Sequence, residues 1–270
     1  MRYRFISDSH THSECSFDGT DSVIMLCEQA SALEMYSLTV TDHCECNEYF
    51  EKNVKEDITR SIMQISKARA MYHDRLHVYT GIELGQPVQD AAAAKEVLSL
   101  TDYDFILGSL HNLKGEKDFY FLEYTQENAC QLLDRYFREL LELAEQNLFD
   151  CMSHLDYPLR YIIGNSGLNI DVTRYSEQLD AVLETIIKND KGIEINTSGL
   201  RQVIGRTLPD ISVIRRFREL GGKYVTIGSD AHRWGDIGSG IETGLDMLLE
   251  CGYTHFSVYE KHCPKLLPIL

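Results

Sequence analysis

The feature that most constrains this fold is an alternation that runs the length of the chain. Short apolar, β-rich runs are predicted as strands at 2–8, 37–43, 76–85, 104–111, 148–156, 191–199 and 223–232. Between and after them, helices are predicted at 21–35, 53–74, 90–99, 126–147, 176–189, 210–220 and 241–251. In the second helix Ile58, Ile62, Ile65 and Ala68 recur at helical spacing. A last short strand is expected at 255–259. No repeat or linker interrupts the pattern, so residues 1–270 read as one α/β domain with a mostly parallel sheet. Such a sheet is either doubly wound, with one ligand-binding switch point, or a barrel that gathers site residues from many strand ends on one face.

The placement of polar residues decides between them. The first strand ends in Asp8, His10 and His12, and the second in Asp42 and His43. The third carries Glu83, the fourth ends in His111 and the fifth in His154. The sixth ends in Asn196, and the seventh in Asp230 and His232. Of 10 histidines, only His73, His77, His255 and His262 lie elsewhere. Site residues at so many strand ends are the pattern of a barrel with its site on the C-terminal face.

A shell of imidazoles and carboxylates suits zinc, manganese or iron. One ion with an open position takes about three or four protein ligands. The six strand-end histidines with Asp18, Glu83 and Asp230 are too many for one ion and enough for two or three. Cys44 and Cys46 flank "DHCEC" and offer thiolates, but the 8 cysteines form no CxxC pair and are expected to be free thiols.

Charge narrows the partners. A formal net charge of −16 leaves no basic stripe to track a nucleic-acid backbone. A small anionic substrate is still compatible, because metal ions can supply the positive charge. No apolar run approaches the ~20 residues of a membrane span. The opening "MRYRFISDSH" turns polar too soon for a signal peptide, so a cytoplasmic location is expected.

In order along the chain, "DSHTHS", "TDHCE", "GIELG", "GSLH", "MSHLD" and "GSDAH" resemble the successive motifs of the polymerase and histidinol phosphatase (PHP) family. "SHLDYPLRY" and "EINTSGLR" resemble its histidinol-phosphate phosphatase branch. The resemblance runs from residue 6 to beyond 232. It implies a distorted seven-stranded (β/α) TIM-like barrel holding three divalent ions, zinc, manganese or iron. Carried over by position, His10, His12, Glu83 and Asp230 would hold the first ion. Glu83 would bridge to a second, held by His111 and His154. His43, His232 and Asp18 would hold the third, although some relatives carry histidine at the position of Asp18.

The resemblance also implies hydrolysis of L-histidinol phosphate to L-histidinol and phosphate, a step of histidine biosynthesis. Asp230, Asp18 and His232 are the expected catalytic residues, with Asp230 managing the proton of the attacking water. Arg160 and Arg201 each follow a site-bearing strand end and are expected to bind the phosphate, since guanidinium forks onto phosphoryl oxygens. Arg233, Tyr157 and Trp234 are weaker candidates at the border of the site. Asp8 and Asp42 are expected to orient imidazoles. Two other readings make different demands. A PHP nuclease or nucleotide phosphatase should present a basic or aromatic surface to bases. A non-catalytic metal-binding module should have lost ligands, whereas all nine positions are filled here.

Overall fold

The computed structural model describes residues 2–270. Seven strands pair in parallel and in chain order: β1 (Ser7–Asp8), β2 (Ser37–Val40), β4 (His77–Gly85), β5 (Phe105–Ser109), β6 (Cys151–Met152), β7 (Gly192–Asn196) and β8 (Val225–Gly228). The short β3 (His43–Glu45) pairs with the far end of β4, while β2 pairs with its near half. The two are one strand bent at Thr41–Asp42.

The sheet closes on itself. Ser9 N donates to Ile227 O at 3.0 Å, Asp230 N to His10 O at 2.8 Å, and His12 N to Ala231 O at 2.8 Å. These bonds join the first strand to the last, so the expected seven-stranded barrel is the observed one.

Seven α-helices follow the strands as predicted: α1 (Val23–Ala32), α2 (Val54–Tyr72), α3 (Ala91–Leu98), α4 (Gln126–Gln146), α5 (Ser176–Lys188), α6 (Ile211–Glu219) and α7 (Ile241–Glu250). Their starts are chemically marked. Ser22, Asp90 and Asp210 accept first-turn N–H groups through their side chains, and Thr125 with Asn128 forms a reciprocal capping box. α4 buries Leu133, Tyr136, Phe137, Leu140 and Ala144 at helical spacing against the barrel.

The strands depart most from the prediction at three places. At the first, Tyr3 leaves the sheet, is buried, and donates its hydroxyl to Asp246 of α7 at 2.5 Å. At the fifth, only Cys151 and Met152 pair fully, because the chain turns away at His154. The third is the C-terminus, where β9 (His255–Glu260) pairs antiparallel with an unpredicted β10 (Cys263–Pro268). The prolines at 264 and 268 argue against a strand in the sequence, and the structure admits them because β10 is an edge. This hairpin closes the bottom of the barrel: Tyr259 stacks on Phe105 at 5.0 Å, and His262 Nδ1 lies 2.9 Å from Asp150 at the start of β6. The opposite, C-terminal mouth is left to the polar residues. Among the described residues no helix is long and apolar enough to cross a membrane.

Candidate metal centre

The site begins with the backbone of the first strand. His10 and His12 lie on either side of Thr11, which bridges to Ala231 and donates its hydroxyl to Thr39 O. Alternation along extended chain therefore sends both imidazoles to the same side, and their Nε2 atoms stand 3.0 Å apart. His10 Nδ1 lies 2.6 Å from Glu194 Oε1, a carboxylate that can only accept. His12 Nδ1 lies 3.1 Å from Ser16 Oγ, whose own hydrogen goes to Asp42 Oδ1 at 2.8 Å. Both Nδ1 atoms are thereby assigned a proton, so the two Nε2 atoms face each other with room for one shared cation, a proton or a metal ion. Two bare lone pairs at that distance repel unless a cation joins them.

The same logic recurs deeper in the mouth. His111 Nδ1 donates to Glu45 Oε1 at 2.9 Å, leaving its Nε2 3.1 Å from Glu83 Oε1 and 3.3 Å from His154 Nε2. Glu83 is fully buried at the centre. Its Oε1 reaches His111 and also His154, at 2.9 Å, while Oε2 lies 3.3 Å from His10 Nε2, 3.5 Å from His12 Nε2 and 2.9 Å from His43 Nδ1. Glu83 Oε2 and His43 Nδ1 are buried without a hydrogen bond of acceptable geometry. Atoms so close, and so poorly aligned for hydrogen bonding, are arranged as ligands to a shared ion rather than as bonds to one another.

Asp18 reaches back from the loop after the first strand. Its Oδ2 is 3.1 Å from His232 Nε2 and its Oδ1 3.7 Å from His43 Nε2. His12 lies between the rings of His43 and His232, at 4.2 Å and 4.3 Å. Asp230 Oδ1 stands 3.4 Å from His12 Nε2 and 3.7 Å from His10 Nε2. Its other oxygen is held by Arg160, Asn196 and Ser198 at 3.1–3.3 Å. The Asp230 backbone is left-handed, with φ 54°, a conformation that costs energy in a residue other than glycine and is often kept to aim a side chain.

Three donor groups are compact enough for an ion: His10, His12 and Glu83; His43, Glu83 and His111; and His12, His43 and His232. All nine sequence-predicted ligand residues thus converge on one mouth. The sorting differs from the expectation: His12 and His43 each belong to two of the compact groups, while Asp18, His154 and Asp230 lie beside them. His43, expected with His232 and Asp18, presents Nε2 to Asp18 and Nδ1 to Glu83.

The electrostatics suit cations. Burial would raise the Glu83 carboxyl, but His10, His43 and His111 outweigh it and hold it well below the usual carboxylate range. Burial and the neighbouring His43 and His232 push His12 down to about 3, so it stays neutral and able to ligate. At His111 burial opposes the charge, yet Glu45 and Glu83 overcome it and pull the imidazole up to about 10. A field that draws a proton onto that ring draws a divalent cation more strongly.

Several orienting residues were not singled out in the sequence. Asp8 and Asp42 were expected to orient imidazoles, and neither contacts one. Asp8 instead accepts Ser229 N and Gly238 N at 2.8 Å and 2.9 Å, tying down the loop that carries Asp230. Asp42 gathers the hydroxyls of Ser13, Ser16 and Ser61 and acts on His12 only through Ser16. The direct partners are Glu194 for His10 and Glu45 for His111. Both were findable by strand alternation: Glu194 is two residues from Asn196, and Glu45 two from His43. Glycines make room for them. A Cβ on Gly228 would sit 2.3 Å from His10 Cβ and 2.5 Å from Glu194 Oε1, and one on Gly85 would sit 2.6 Å from Glu45 Oε2.

The arginines reach the mouth differently. Arg160 Nη2 bonds Ser198 Oγ at 2.8 Å and Asp230 Oδ2, its guanidinium lies over the Tyr157 ring at 5.1 Å, and its buried Nε has no partner. Arg201 Nη2 donates to the carbonyl of Ser229 at 2.8 Å, bracing the Asp230 loop from outside. Tyr157 also packs on His154 and His111, at 4.9 Å and 5.0 Å. Arg233 is exposed and pairs with Asp236, and Trp234 is half-exposed. Cys44 and Cys46 are buried in the hydrophobic core and belong to none of the three donor groups.

A parallel barrel whose mouth gathers buried imidazoles around a central glutamate defines a class of metal-dependent enzymes. The chain belongs to the PHP domain family, whose model matches residues 8–198. It is 30% identical to a probable histidinol-phosphatase of Clostridium acetobutylicum, covering 91% of this chain and 94% of the relative. It is 27% identical to a probable histidinol-phosphatase of Thermotoga maritima, covering 93% and 94%. Its fold is similar to the crystal structure of histidinol phosphate phosphatase from Lactococcus lactis, complexed with zinc, L-histidinol and phosphate. That match has a TM-score of 0.74 and 19% identity and covers 96% of this chain and 98% of the other. A putative histidinol phosphatase from Listeria monocytogenes matches with a TM-score of 0.75 and 20% identity, over 88% and 99%.

Proposed function

We propose that residues 1–270 form a single cytoplasmic phosphomonoesterase unit that hydrolyses L-histidinol phosphate to L-histidinol and phosphate. The observation that carries this reading is the convergence of nine donor residues, with facing imidazole Nε2 atoms 3.0 Å and 3.3 Å apart, in a chain aligned over 91% of its length with a probable histidinol-phosphatase. Three divalent ions would be held by His10, His12, Glu83 and Asp230; by Glu83, His111 and His154; and by Asp18, His43 and His232. When bound, such ions screen phosphoryl oxygens and make water acidic enough to attack near neutral pH.

The chain's own residues supply the rest. Glu194, Ser16 and Glu45 hold Nδ1 of His10, His12 and His111, so these three rings present Nε2 to an ion. Asp230 Oδ1 accepts a hydrogen bond from the attacking water, while Arg160, Asn196 and Ser198 keep the carboxylate from rotating. His232 and Asp18, the more exposed pair, pass the proton toward solvent. The Arg160 guanidinium, held beside Asp230 and over the Tyr157 ring, is the proposed phosphate contact, and Arg201 acts with it from the next loop. The 8 cysteines are all free thiols, which suits a reducing compartment.

The test is a panel of phosphate esters assayed with zinc- or manganese-loaded protein. L-Histidinol phosphate should be cleaved far faster than nucleotides or short oligonucleotides. Hydrolysis of oligonucleotides without activity on histidinol phosphate would replace this reading with the nuclease one, and inactivity on every ester would favour a non-catalytic module.

A further inference from the structure

One buried side chain ties together the ends of three strands behind His111. Gln86 directly follows β4, and its backbone N–H donates to Ser109 O at 2.9 Å, beside the Gly85–Ser109 pair that ends the β4–β5 ladder. Its φ is 48°, left-handed in a residue other than glycine, and Pro87 comes next. The side chain is held inside the protein, and Gln86 is 1% exposed.

The neighbours fix which way its amide points. Oε1 accepts the backbone N–H of His111 at 3.0 Å. Nε2 faces three acceptors: Oε2 of Glu45 at the end of β3, Oδ1 of Asn112 at 2.6 Å and Oδ1 of Asn47 at 3.2 Å. The reverse orientation would set N–H against N–H at His111 and oxygen against a carboxylate at Glu45. Gln86 thus closes a ring of hydrogen bonds. It holds the His111 backbone, His111 Nδ1 donates to Glu45 Oε1 at 2.9 Å, and Glu45 Oε2 returns to Gln86. Both the position of His111 and the direction of its imidazole pass through this one amide.

The local chemistry favours other residues at position 86. A buried site favours an apolar side chain, and a left-handed one favours glycine. Glutamine suits neither demand. What it supplies is an acceptor for the His111 backbone and a donor for the carboxylate that orients the His111 ring.

We propose that Gln86 is a positioning residue of the metal centre, which acts through Glu45 and the His111 backbone on how tightly Glu83 and His111 hold their ion. The proposal rests on the metal-binding part of the proposed function and not on its substrate.

The test is a chelator competition titration with zinc on the full chain, with Tm measured in excess chelator and in excess zinc. Gln86→Glu keeps an acceptor for the His111 N–H and loses the donor to Glu45. Gln86→Gly removes both and relieves the left-handed backbone. Each should lower zinc affinity by at least about tenfold, the lower end of what orienting partners contribute. The zinc-loaded Tm of Gln86→Gly should fall by more than its metal-free Tm. A third variant exchanges the two groups, Glu45→Gln with Gln86→Glu. It restores a donor–acceptor pair between the two side chains, and the amide introduced at position 45 still offers an oxygen to His111 Nδ1. Its zinc affinity should exceed that of Gln86→Glu alone, a recovery that reports direct coupling of the two positions.

If Gln86→Glu does not fold, Gln86→Gly carries the test. Parental zinc affinity in the single variants, or an exchange variant that binds no better than Gln86→Glu, would overturn the proposal. A parent chain that takes up no zinc would overturn the metal-binding reading as well, so the two failures are distinct.

Discussion

Replacing Glu194 by glutamine tests whether the carboxylates behind the imidazoles set the metal centre. Glu194 is fully buried, and both of its oxygens only accept. Oε1 takes His10 Nδ1–H at 2.6 Å, while Oε2 takes the backbone N–H of His154 at 3.2 Å and the amide of Asn196 at 3.3 Å. Glutamine keeps the shape but turns one acceptor into an NH2 donor. If the NH2 faces Asn196 and His154, donors oppose donors on the strand that carries His154. If it faces His10, that ring must move its proton to Nε2, which then cannot ligate. Neither orientation is neutral. Loss of such an orienting partner costs about 10–100-fold in metal affinity or activity, or roughly 1.4–2.8 kcal/mol at 1.4 kcal/mol per decade. The assay is a chelator competition titration of Glu194→Gln against the parent, with kcat/KM on a small phosphomonoester and Tm in excess chelator. Metal affinity and kcat/KM should both fall by at least about tenfold. The metal-free melting temperature should fall by less than the metal-loaded one. If affinity and kcat/KM stay within about twofold of the parent, the tautomer argument is refuted, whatever happens to Tm.

Other expectations follow from the same geometry. Asp18→Asn should lower metal content and turnover without unfolding the chain, because Asp18 is the most exposed of the nine donor residues; three ions bound with parental kinetics would reduce Asp18 to a loop residue. Arg160→Ala should lower kcat/KM at least about tenfold for every small phosphomonoester, since a charge-assisted contact is worth roughly 1.5–3 kcal/mol; a loss confined to histidinol phosphate would assign Arg160 to the organic part instead. Gly228→Ala should displace His10 and Glu194 and cost metal affinity, because its Cβ would enter their contact shell; normal metal content by elemental analysis would show that the strand can shift to absorb it. Chelation should lower Tm, and zinc or manganese should restore it, because binding to the folded chain is folding free energy; a Tm indifferent to chelator would contradict the clustered lone pairs.

The barrel and eight of the nine donor residues were legible in the sequence because they lie on strands or at their ends, which the apolar runs mark; Asp18, in the loop after the first strand, was reached through the family resemblance. What was not legible shares one cause: it depends on contacts between distant segments. Asp8 and Glu194 are both acids on barrel strands beside ligand residues. Only closure of the barrel shows that Asp8 serves the 229–238 loop and Glu194 serves His10, 184 residues away. His43 sits between two donor groups because β2 bends into β3 and re-pairs with β4 at Glu83, a register that no local pattern reports. Arg201, proposed on phosphate from its place after a strand, also donates Nη2 to the carbonyl of Ser229, a contact 28 residues away that no local pattern reports.

Those distant partners also explain how a chain of net charge −16 can keep so polar a mouth buried. Glu45, Glu83, Glu194 and Asp230 lie close enough to repel strongly in a low-dielectric interior, and His10, His12, His111 and His154 would repel one another if all were charged. The structure interleaves them so that each carboxylate meets at least one imidazole or guanidinium, and each of these imidazoles has an acidic or hydroxylic partner. That arrangement makes the pocket tolerable, and it brings the Nε2 atoms of His10 and His12 to 3.0 Å, and those of His111 and His154 to 3.3 Å, of each other. Apolar replacements would pack such a barrel mouth at lower cost. The retained strain, including the left-handed Asp230, is therefore best understood as stability given up for a cation-binding surface.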